Sequence, residues 1–423
     1  MERAVLVGLN RGRARSPDLE RSLDELAGLA HAAGASVVLR MVQERAAPDP
    51  ATFLGTGKLA ILAAACLETD ADLVVFDAEL TPTQLRSIER GVGLKIVDRT
   101  QLILDIFARR ARTREGKLQV ELAQARYLLP RLVGAGDMLS RLGGGIGTRG
   151  PGETKLESDR RRLRSRIHAI AEDIEAVRRR RARLREHRHK VAVPVAALVG
   201  YTNAGKTTLF NALTRSGMET SDALFVTLDP VVRQVRLRDS RTLLLSDTVG
   251  FIDRLPHALV AAFRGTLEEV AAADLILHVI DAAAPDRERR ITAVGRVLNE
   301  VGAGDVETLV VYNKCDAVTD DVLRSLRSRE PEALYVSARE GRGFDQLVGA
   351  IVSKLALDVR RLRFTFDPED AGDREWIARV YRHGRVVTQE DHNGRVTVVA
   401  DIPRRLVERL VRSRPTASPD EAG

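Results

Sequence analysis

The stretch Gly200-Tyr201-Thr202-Asn203-Ala204-Gly205-Lys206-Thr207 constrains this chain more than any other. It follows a short apolar run, Val195–Val199, and precedes Thr208-Leu209-Phe210-Asn211-Ala212-Leu213, which can continue as a helix. The order is strand, glycine-bounded turn, helix, with the GxxxxGKT spacing of a phosphate-binding loop. The glycines let backbone N–H groups turn inward around phosphate oxygens, because no Cβ blocks the approach. The following helix adds free N–H donors and the positive end of its dipole. Lys206 offers an ammonium to the β- and γ-phosphates, and Thr207 a hydroxyl to Mg²⁺.

With 423 residues the chain is expected to hold two to four domains, because a single core stops growing near about 250–300 residues. No run reaches the ~18 apolar residues that a membrane span needs. The start, MERAVLVGLNRGRARS, reads as a first strand rather than a signal peptide. Cys66 and Cys315 lie far apart and in different expected units, which argues against a disulfide or zinc site and fits a reducing cytoplasm. The net charge of +8 is unevenly placed: residues 99–192 hold 24 Lys and Arg against 11 Asp and Glu, net +13, leaving −5 elsewhere. A phosphate-rich polyanion is the natural partner of such a segment.

Residues 1–98 read as a small α/β unit, with strands at Ala4–Leu9, Ser36–Val42, Asp72–Phe76 and Lys95–Val97. A helix is expected over Asp18–Ala33, and Thr81-Pro82 opens another with the threonine as cap. The stretch Phe53-Leu54-Gly55-Thr56-Gly57-Lys58 fails as a second phosphate loop, because Thr52 stands where glycine is required.

Residues 99–130 and 155–190 read as two long helices. In the second, Leu156, Leu163, Ile167, Ile170, Ile174, Val177 and Leu184 recur at spacings of 7, 4, 3, 4, 3 and 7, a heptad seam. Leu118, Leu122, Ala125 and Leu129 continue the pattern in the first, so the two are expected to pair antiparallel, with arginines such as Arg160–Arg162 and Arg178–Arg181 outside. The connector, 131–154, is rich in glycine and carries Arg141 and Arg149, with Lys155 beside it. It is expected to be a functional loop that orders on RNA.

Residues 193–358 alternate strands and helices, with strands at 195–199, 242–245, 275–280, 308–312 and 333–336, which argues for a mostly parallel sheet covered on both faces. Residues 359–423 read as a small α+β unit with short strands at 363–366, 376–381, 385–388 and 395–400, a turn at His392-Asn393-Gly394, a helix from Pro403 to Arg412 and a disordered end.

Further motifs stand at the strand ends of 193–358. Asp247-Thr248-Val249-Gly250 can hold Mg²⁺ through a water at Asp247 and aim the Gly250 N–H at a γ-phosphate. In Asn313-Lys314-Cys315-Asp316, the carboxylate of Asp316 can accept from N1–H and the 2-amino group of guanine. Adenine has neither donor and leaves that carboxylate unpaired. Asn313 is placed to tie base to phosphate loop, the Lys314 stem to stack on the ring, and the backbone of Ser337-Ala338-Arg339 to reach guanine O6. Between lies Leu224-Phe225-Val226-Thr227-Leu228-Asp229-Pro230, where Thr227 is the favoured second hydroxyl for Mg²⁺ and Thr220 its competitor. Lys206, Thr227 and Gly250 are the expected catalytic groups.

This ordered set resembles the translation-factor class of GTPases. FLGTGKL, ELTPTQL, LDIFARRARTREGKLQVELAQARYLLPRL, GGGIGTRGPGETKLE, LVGYTNAGKTTLFNALT, LFVTLDP and DTVGFI together resemble the HflX family, from near the start to about residue 350. The resemblance implies a GTPase that binds the large ribosomal subunit, its N-terminal domain and basic hairpin reaching ribosomal RNA near the peptidyl transferase centre. It also implies a role in separating or rescuing stalled ribosomes, often under stress. A GTPase acting in ribosome assembly or RNA modification is the alternative, and a monomer is expected. Many GTPases follow the DxxG motif with a glutamine that orients water. Here Phe251 and Ile252 follow, so hydrolysis by the free protein is expected to be slow.

Overall fold

The computed structural model describes residues 1–12, 17–132, 151–191, 193–218, 220, 224–237, 241–253, 269–392, 394–407 and 420–421. Residues 133–150 of the glycine-rich connector, with Arg141 and Arg149, and also Asn393, lie outside the described residues, whereas 151–154, expected as connector, already belong to the helix that runs Pro151–Val191.

The first sheet is parallel, in the order β2 (Ala35–Glu44), β1 (Glu2–Asn10), β3 (Leu73–Phe76), β4 (Lys95–Asp98). Ala4–Val7 are fully buried, as a strand with both faces covered must be. On one face, Leu19, Leu23, Leu26 and Leu29 of α1 (Pro17–Ala32) pack with Leu102, Ile103, Ile106 and Phe107 of α4 (Arg99–Arg110). On the other, Leu62 and Cys66 of α2 (Thr56–Glu68) meet Ile88 of α3 (Pro82–Val92). Thr81 caps α3 in a reciprocal box: its hydroxyl accepts the Gln84 N–H (3.2 Å), and the Gln84 side chain accepts the Thr81 N–H (3.0 Å). Gly93 ends the helix in the left-handed region, φ 77°.

The first hairpin arm is not one helix. The chain breaks at Ala111–Thr113, where Thr113 caps α5 (Arg114–Arg131). α4 packs its apolar side into the first core, whereas α5 divides its apolar residues between that core (Val120, Ala123, Tyr127) and the seam with α6 (Pro151–Val191), and so takes a different direction. Leu122, Ile170 and Ile174 are buried between α5 and α6, with Leu118 and Ile167 beside them, and both nitrogens of the Arg166 fork reach Glu121 at 2.6 and 2.9 Å. Arg161, Arg162, Arg164, Arg179, Arg180 and Arg183 of α6 are exposed.

The second sheet has the order β10 (Leu334–Tyr335), β9 (Thr308–Asn313), β8 (Leu275–Asp281), β5 (Val195–Val199), β7 (Thr242–Asp247), β6 (Val231–Arg236). All pairings are parallel except β6 with β7. Sequence patterning misses β6, because Val231, Val232, Arg233 and Gln234 of an edge strand lack a continuous apolar run. Helices α7 (Lys206–Thr214), α8 (Arg287–Glu300), α9 (Asp320–Arg329) and α10 (Phe344–Lys354) also belong to this region.

The third sheet is antiparallel, in the order β12 (Arg385–His392), β13 (Arg395–Pro403), β11 (Val359–Phe366), β14 (Asp420–Glu421). Residues 376–381, expected as a strand, belong instead to α11 (Ala371–His383). Asp370 caps it by accepting the Asp373 N–H at 2.8 Å, and Trp376 and Val380, one helical turn apart, bury together against Phe364 and Phe366. That spacing is the helical period, which the local aromatic and β-branched content obscured. Residues 404–407 are helical, and the rest of the helix expected to Arg412 lies outside the described residues.

Candidate functional site

Strand β5 sits between β8 and β7, so the loops after these strands diverge to opposite faces and open a crevice at their carboxyl ends. A cavity of about 540 Å³ occupies it, lined by Thr202, Asn203, Gly205–Thr208, Thr220, Phe225–Thr227, Thr248, Gly250, Asn313, Lys314, Asp316, Ala317, Ala338 and Arg339. Its size lies within the ~300–1,000 Å³ usual for ligand sites.

The two loop glycines are sterically required. A Cβ on Gly200 would lie 2.2 Å from the Val279 carbonyl oxygen. One on Gly205, whose φ is +88°, would lie 2.2 Å from Asn313 Nδ2. This is a cradle of backbone that only glycine can form, and α7 begins at Lys206, directly behind it. Lys206 is buried, and its ammonium donates to the carbonyls of Gly200 (3.1 Å) and Tyr201 (2.9 Å). Burial drags Lys206 down to about 8, while the Asp247 carboxylate pulls it the other way.

Three oxygen donors converge behind the loop. Thr207 Oγ1 donates to Asp247 Oδ2 at 2.8 Å, Thr227 Oγ1 reaches the same oxygen at 3.2 Å, and the two hydroxyls are 2.9 Å apart. Asp247 Oδ1 is buried without a hydrogen-bond partner. Burial raises the Asp247 carboxyl, opposed by Lys206. Hard oxygen donors around an orphaned carboxylate oxygen suit a small divalent cation such as Mg²⁺. Thr220, the competing threonine, is exposed and lines the cavity apart from this cluster.

At the far end, Asn313 bridges two loops: its Nδ2 donates to the Ala204 carbonyl and its Oδ1 accepts the Ala338 N–H, both at 2.9 Å. Ser337 Oγ donates to Asp316 Oδ1 at 2.6 Å, which holds that carboxyl below the usual carboxylate range. Lys314, at φ 62°, stretches its ammonium 2.8 Å to Asp281 at the end of β8. Asp281 escapes sequence reasoning, although an acidic residue ending a parallel strand is the available signal. Cys315 and Ala204 are buried, and Cys315 packs with Ile280, Tyr312 and Leu323.

Several expected contact residues are tied to other parts of the chain, among them Phe225, Thr202 and Thr248 of the cavity wall. Asp229 and Leu228 are not in the cavity wall: Asp229 meets Thr113, and Leu228 joins the core of the first sheet. Val249 joins that core too. Phe225 is buried in it, its ring 4.7 Å from Phe107 at 82°. Thr202 accepts the Phe225 N–H at 3.1 Å, and Thr248 Oγ1 donates to the Leu198 carbonyl at 2.6 Å. Tyr201 turns away from the cavity, donating to Glu25 (2.6 Å) while accepting the Asp253 N–H (2.8 Å). Phe251 is buried among Val199, Val270, Ile276 and Val294, so its ring faces core and not the cavity. Ile252 packs in the first core.

His278 on β8 lies beside Val199 and is buried. Burial pushes its imidazole down to about 4, assisted by Lys206. A base depressed in the folded state is protonated first in the unfolded one, so stability falls as pH drops from the ordinary value of 6.5 towards 4. We expect His278→Asn to lack about 3 kcal/mol of the wild-type loss across that window. Urea unfolding of both proteins at several pH values measures it, and parallel acid-side curves would refute it.

Residues 20–108 match the family described as GTP-binding GTPase N-terminal, residues 110–188 that described as GTP-binding GTPase Middle Region, and residues 195–314 that described as 50S ribosome-binding GTPase. The GTPase HflX of Caldanaerobacter subterraneus subsp. tengcongensis is 46% identical over 409 residues, covering 97% of this chain and 93% of that protein. The GTPase HflX of Escherichia coli (strain K12) is 45% identical over 389 residues, covering 89% and 91%. Among solved structures, a GTP-binding protein from the archaeon Sulfolobus solfataricus in complex with GDP is 24% identical with a TM-score of 0.45, covering 84% of this chain and 99% of that one.

Proposed function

Because the chain belongs to the HflX family of GTPases and is a GTP hydrolase, we propose that its GTP state grips the large ribosomal subunit and splits or rescues stalled ribosomes. In this reading the chain has four units: 1–98, the basic hairpin 99–192, the GTP-binding unit 193–358 and the small unit 359–423. The hairpin and its glycine-rich connector bind ribosomal RNA, and the protein works in the cytoplasm as a monomer. Among the described residues no helix is long and apolar enough to cross a membrane.

One observation carries the proposal. The exposed arginines of α6 extend from the same chain whose residues 195–314 match a family described as 50S ribosome-binding GTPase. A row of guanidinium groups on a helix face binds phosphate backbone without reading sequence.

Within the site, Lys206 and the loop N–H groups hold the β- and γ-phosphates, and Asp316 with Asn313 holds guanine. Thr207, Thr227 and Asp247 would hold Mg²⁺ through their hydroxyl and carboxylate oxygens. Mg²⁺, when bound, neutralises charge on the phosphate oxygens. Gly250 presents its N–H to the γ-phosphate. Phe251 and Ile252, which follow Gly250, are committed to the cores and cannot orient water.

Hydrolysis by the free protein is therefore expected to be slow, and large subunits should accelerate it by roughly tenfold or more. Single-turnover assays with and without subunits test this, and equal rates would defeat it. Sedimentation with a non-hydrolysable GTP analogue separates the alternative. Binding only to precursor particles would point to assembly, whereas co-migration with mature subunits and loss of intact ribosomes fits splitting.

A further inference from the structure

The segment carrying Thr227 is fastened on both sides to parts of the chain that never touch the nucleotide cavity. Upstream, Phe225 stands at φ 59°, a left-handed conformation that a bulky residue seldom adopts. Its ring is locked edge-on against Phe107, and Leu224 and Leu228 pack into the same core. Such a backbone persists only where its surroundings over-determine it.

Downstream, Asp229 sits at the first turn of α5, the near arm of the hairpin. Its Oδ2 accepts the N–H groups of Arg112 and Thr113, both at 2.8 Å, and its Oδ1 accepts the Thr113 hydroxyl at 2.5 Å. Thr113 in turn accepts the Gly116 N–H at 3.0 Å, which makes it the helix cap. The carboxylate therefore extends the cap by one more link and places a negative charge at the positive end of the helix. The approach is so close that a Cβ on Gly116 would lie 2.1 Å from Asp229 Oδ1. Gly116 is buried within α5, where glycine is otherwise unfavourable. Its place is explained by room for the carboxylate.

We propose that Asp229 is a positioning residue. Through the N-terminus of α5 it holds Thr227 against Thr207 and Asp247, so preference for triphosphate over diphosphate depends on the root of the hairpin. The proposal rests on the reading of Thr227 as a cation ligand. Linkage is reciprocal: a nucleotide that recruits Thr227 steadies the cap of α5, and a partner that moves α5 changes the hold on Thr227. The basic arm and the γ-phosphate are thereby joined by a five-residue span, Phe225 to Asp229.

The test is the affinity of full-length protein for a non-hydrolysable GTP analogue relative to GDP, with Mg²⁺ and with EDTA. Asp229→Ala is expected to lower the Mg²⁺-dependent ratio by about tenfold, within the usual range of coupling between sites. Gly116→Ala, which leaves the carboxylate in the sequence but takes its space, should lower it in the same direction. The double variant should do little more than either single one, because both break one link. Asp229→Asn keeps an acceptor oxygen and should recover part of the ratio. With EDTA all these proteins should converge, which a merely destabilised fold would not do. Should Thr227→Ala depress the ratio while Asp229→Ala and Gly116→Ala leave it unchanged, the proposal is wrong and the cation reading stands. Should Thr227→Ala also leave it unchanged, both are wrong. GDP affinity reports folding, and if Asp229→Ala does not fold, Gly116→Ala decides alone.

Discussion

Asp316→Asn should cost on the order of 10³-fold or more in GTP affinity and turn the preference towards xanthosine triphosphate, because a site that hydrogen-bonds one base is left with unpaired polar groups by another. Asp316 is half-buried and lines the cavity, its Oδ1 already receiving the Ser337 hydroxyl. That bond fixes the carboxylate plane and keeps the group ionised, below the usual carboxylate range. What remains of its acceptor capacity suits two donors side by side, the N1–H and 2-amino group of guanine. An asparagine presents one acceptor and one NH₂ donor. Guanine then sets donor against donor, whereas xanthine, with a carbonyl at C2, pairs with both. Asn313 and Lys314 are unaltered, so the phosphate and ring contacts proposed for them should persist and the loss should be confined to base choice. Competition calorimetry with GTP, xanthosine triphosphate and ATP reads the change. A variant that still binds GTP as wild type does would remove Asp316 from base recognition.

The site was legible in the sequence to different depths for different reasons. Gly200, Gly205, Lys206 and Thr207 act through backbone geometry and fixed spacing, which a linear pattern records directly. The strand ends at Asp247 and Asn313 were legible because buried parallel strands leave apolar runs. Tyr201, Phe225 and Asp229 lie inside or beside those same motifs, yet their partners are Glu25, Phe107 and Thr113, more than 80 residues away in the chain. No periodicity carries such information. The break between α4 and α5 hid for a similar reason: Leu102, Ile106 and Phe107 continue the apolar rhythm, but the core they enter differs from that of Leu118 and Leu122. The helix at 371–383 is hidden in the sequence because valine, tryptophan and tyrosine favour strands in isolation, and packing against Phe364 and Phe366 overrides that preference.

Gly250→Ala should reduce GTP hydrolysis by on the order of 10²–10³-fold, the usual cost of losing one well-placed backbone donor, while leaving GDP affinity nearly unaltered. The added Cβ would lie 2.8 Å from Thr202 Cα, 3.0 Å from Thr202 Cβ and 3.1 Å from Lys206 Nζ. Thr202 cannot give way. Its N–H donates to the Phe251 carbonyl at 2.7 Å, and its hydroxyl accepts from Phe225, whose ring is held in the first core. Lys206 is the softer neighbour, but it is buried and tied to two loop carbonyls. The strain therefore falls on the 250 peptide itself, and its N–H should swing away from the γ-phosphate oxygen that we propose it serves. Phe251 cannot follow freely, since its N–H donates to the Gly200 carbonyl at 3.1 Å and its ring fills the core below. A diphosphate makes no use of that N–H, which is why its binding should survive. Single-turnover hydrolysis together with GDP titration of the same preparation checks both halves. A variant that hydrolyses GTP at the wild-type rate would show that this peptide does not serve the γ-phosphate, and water positioning would then have to be sought on the other wall, around Thr227.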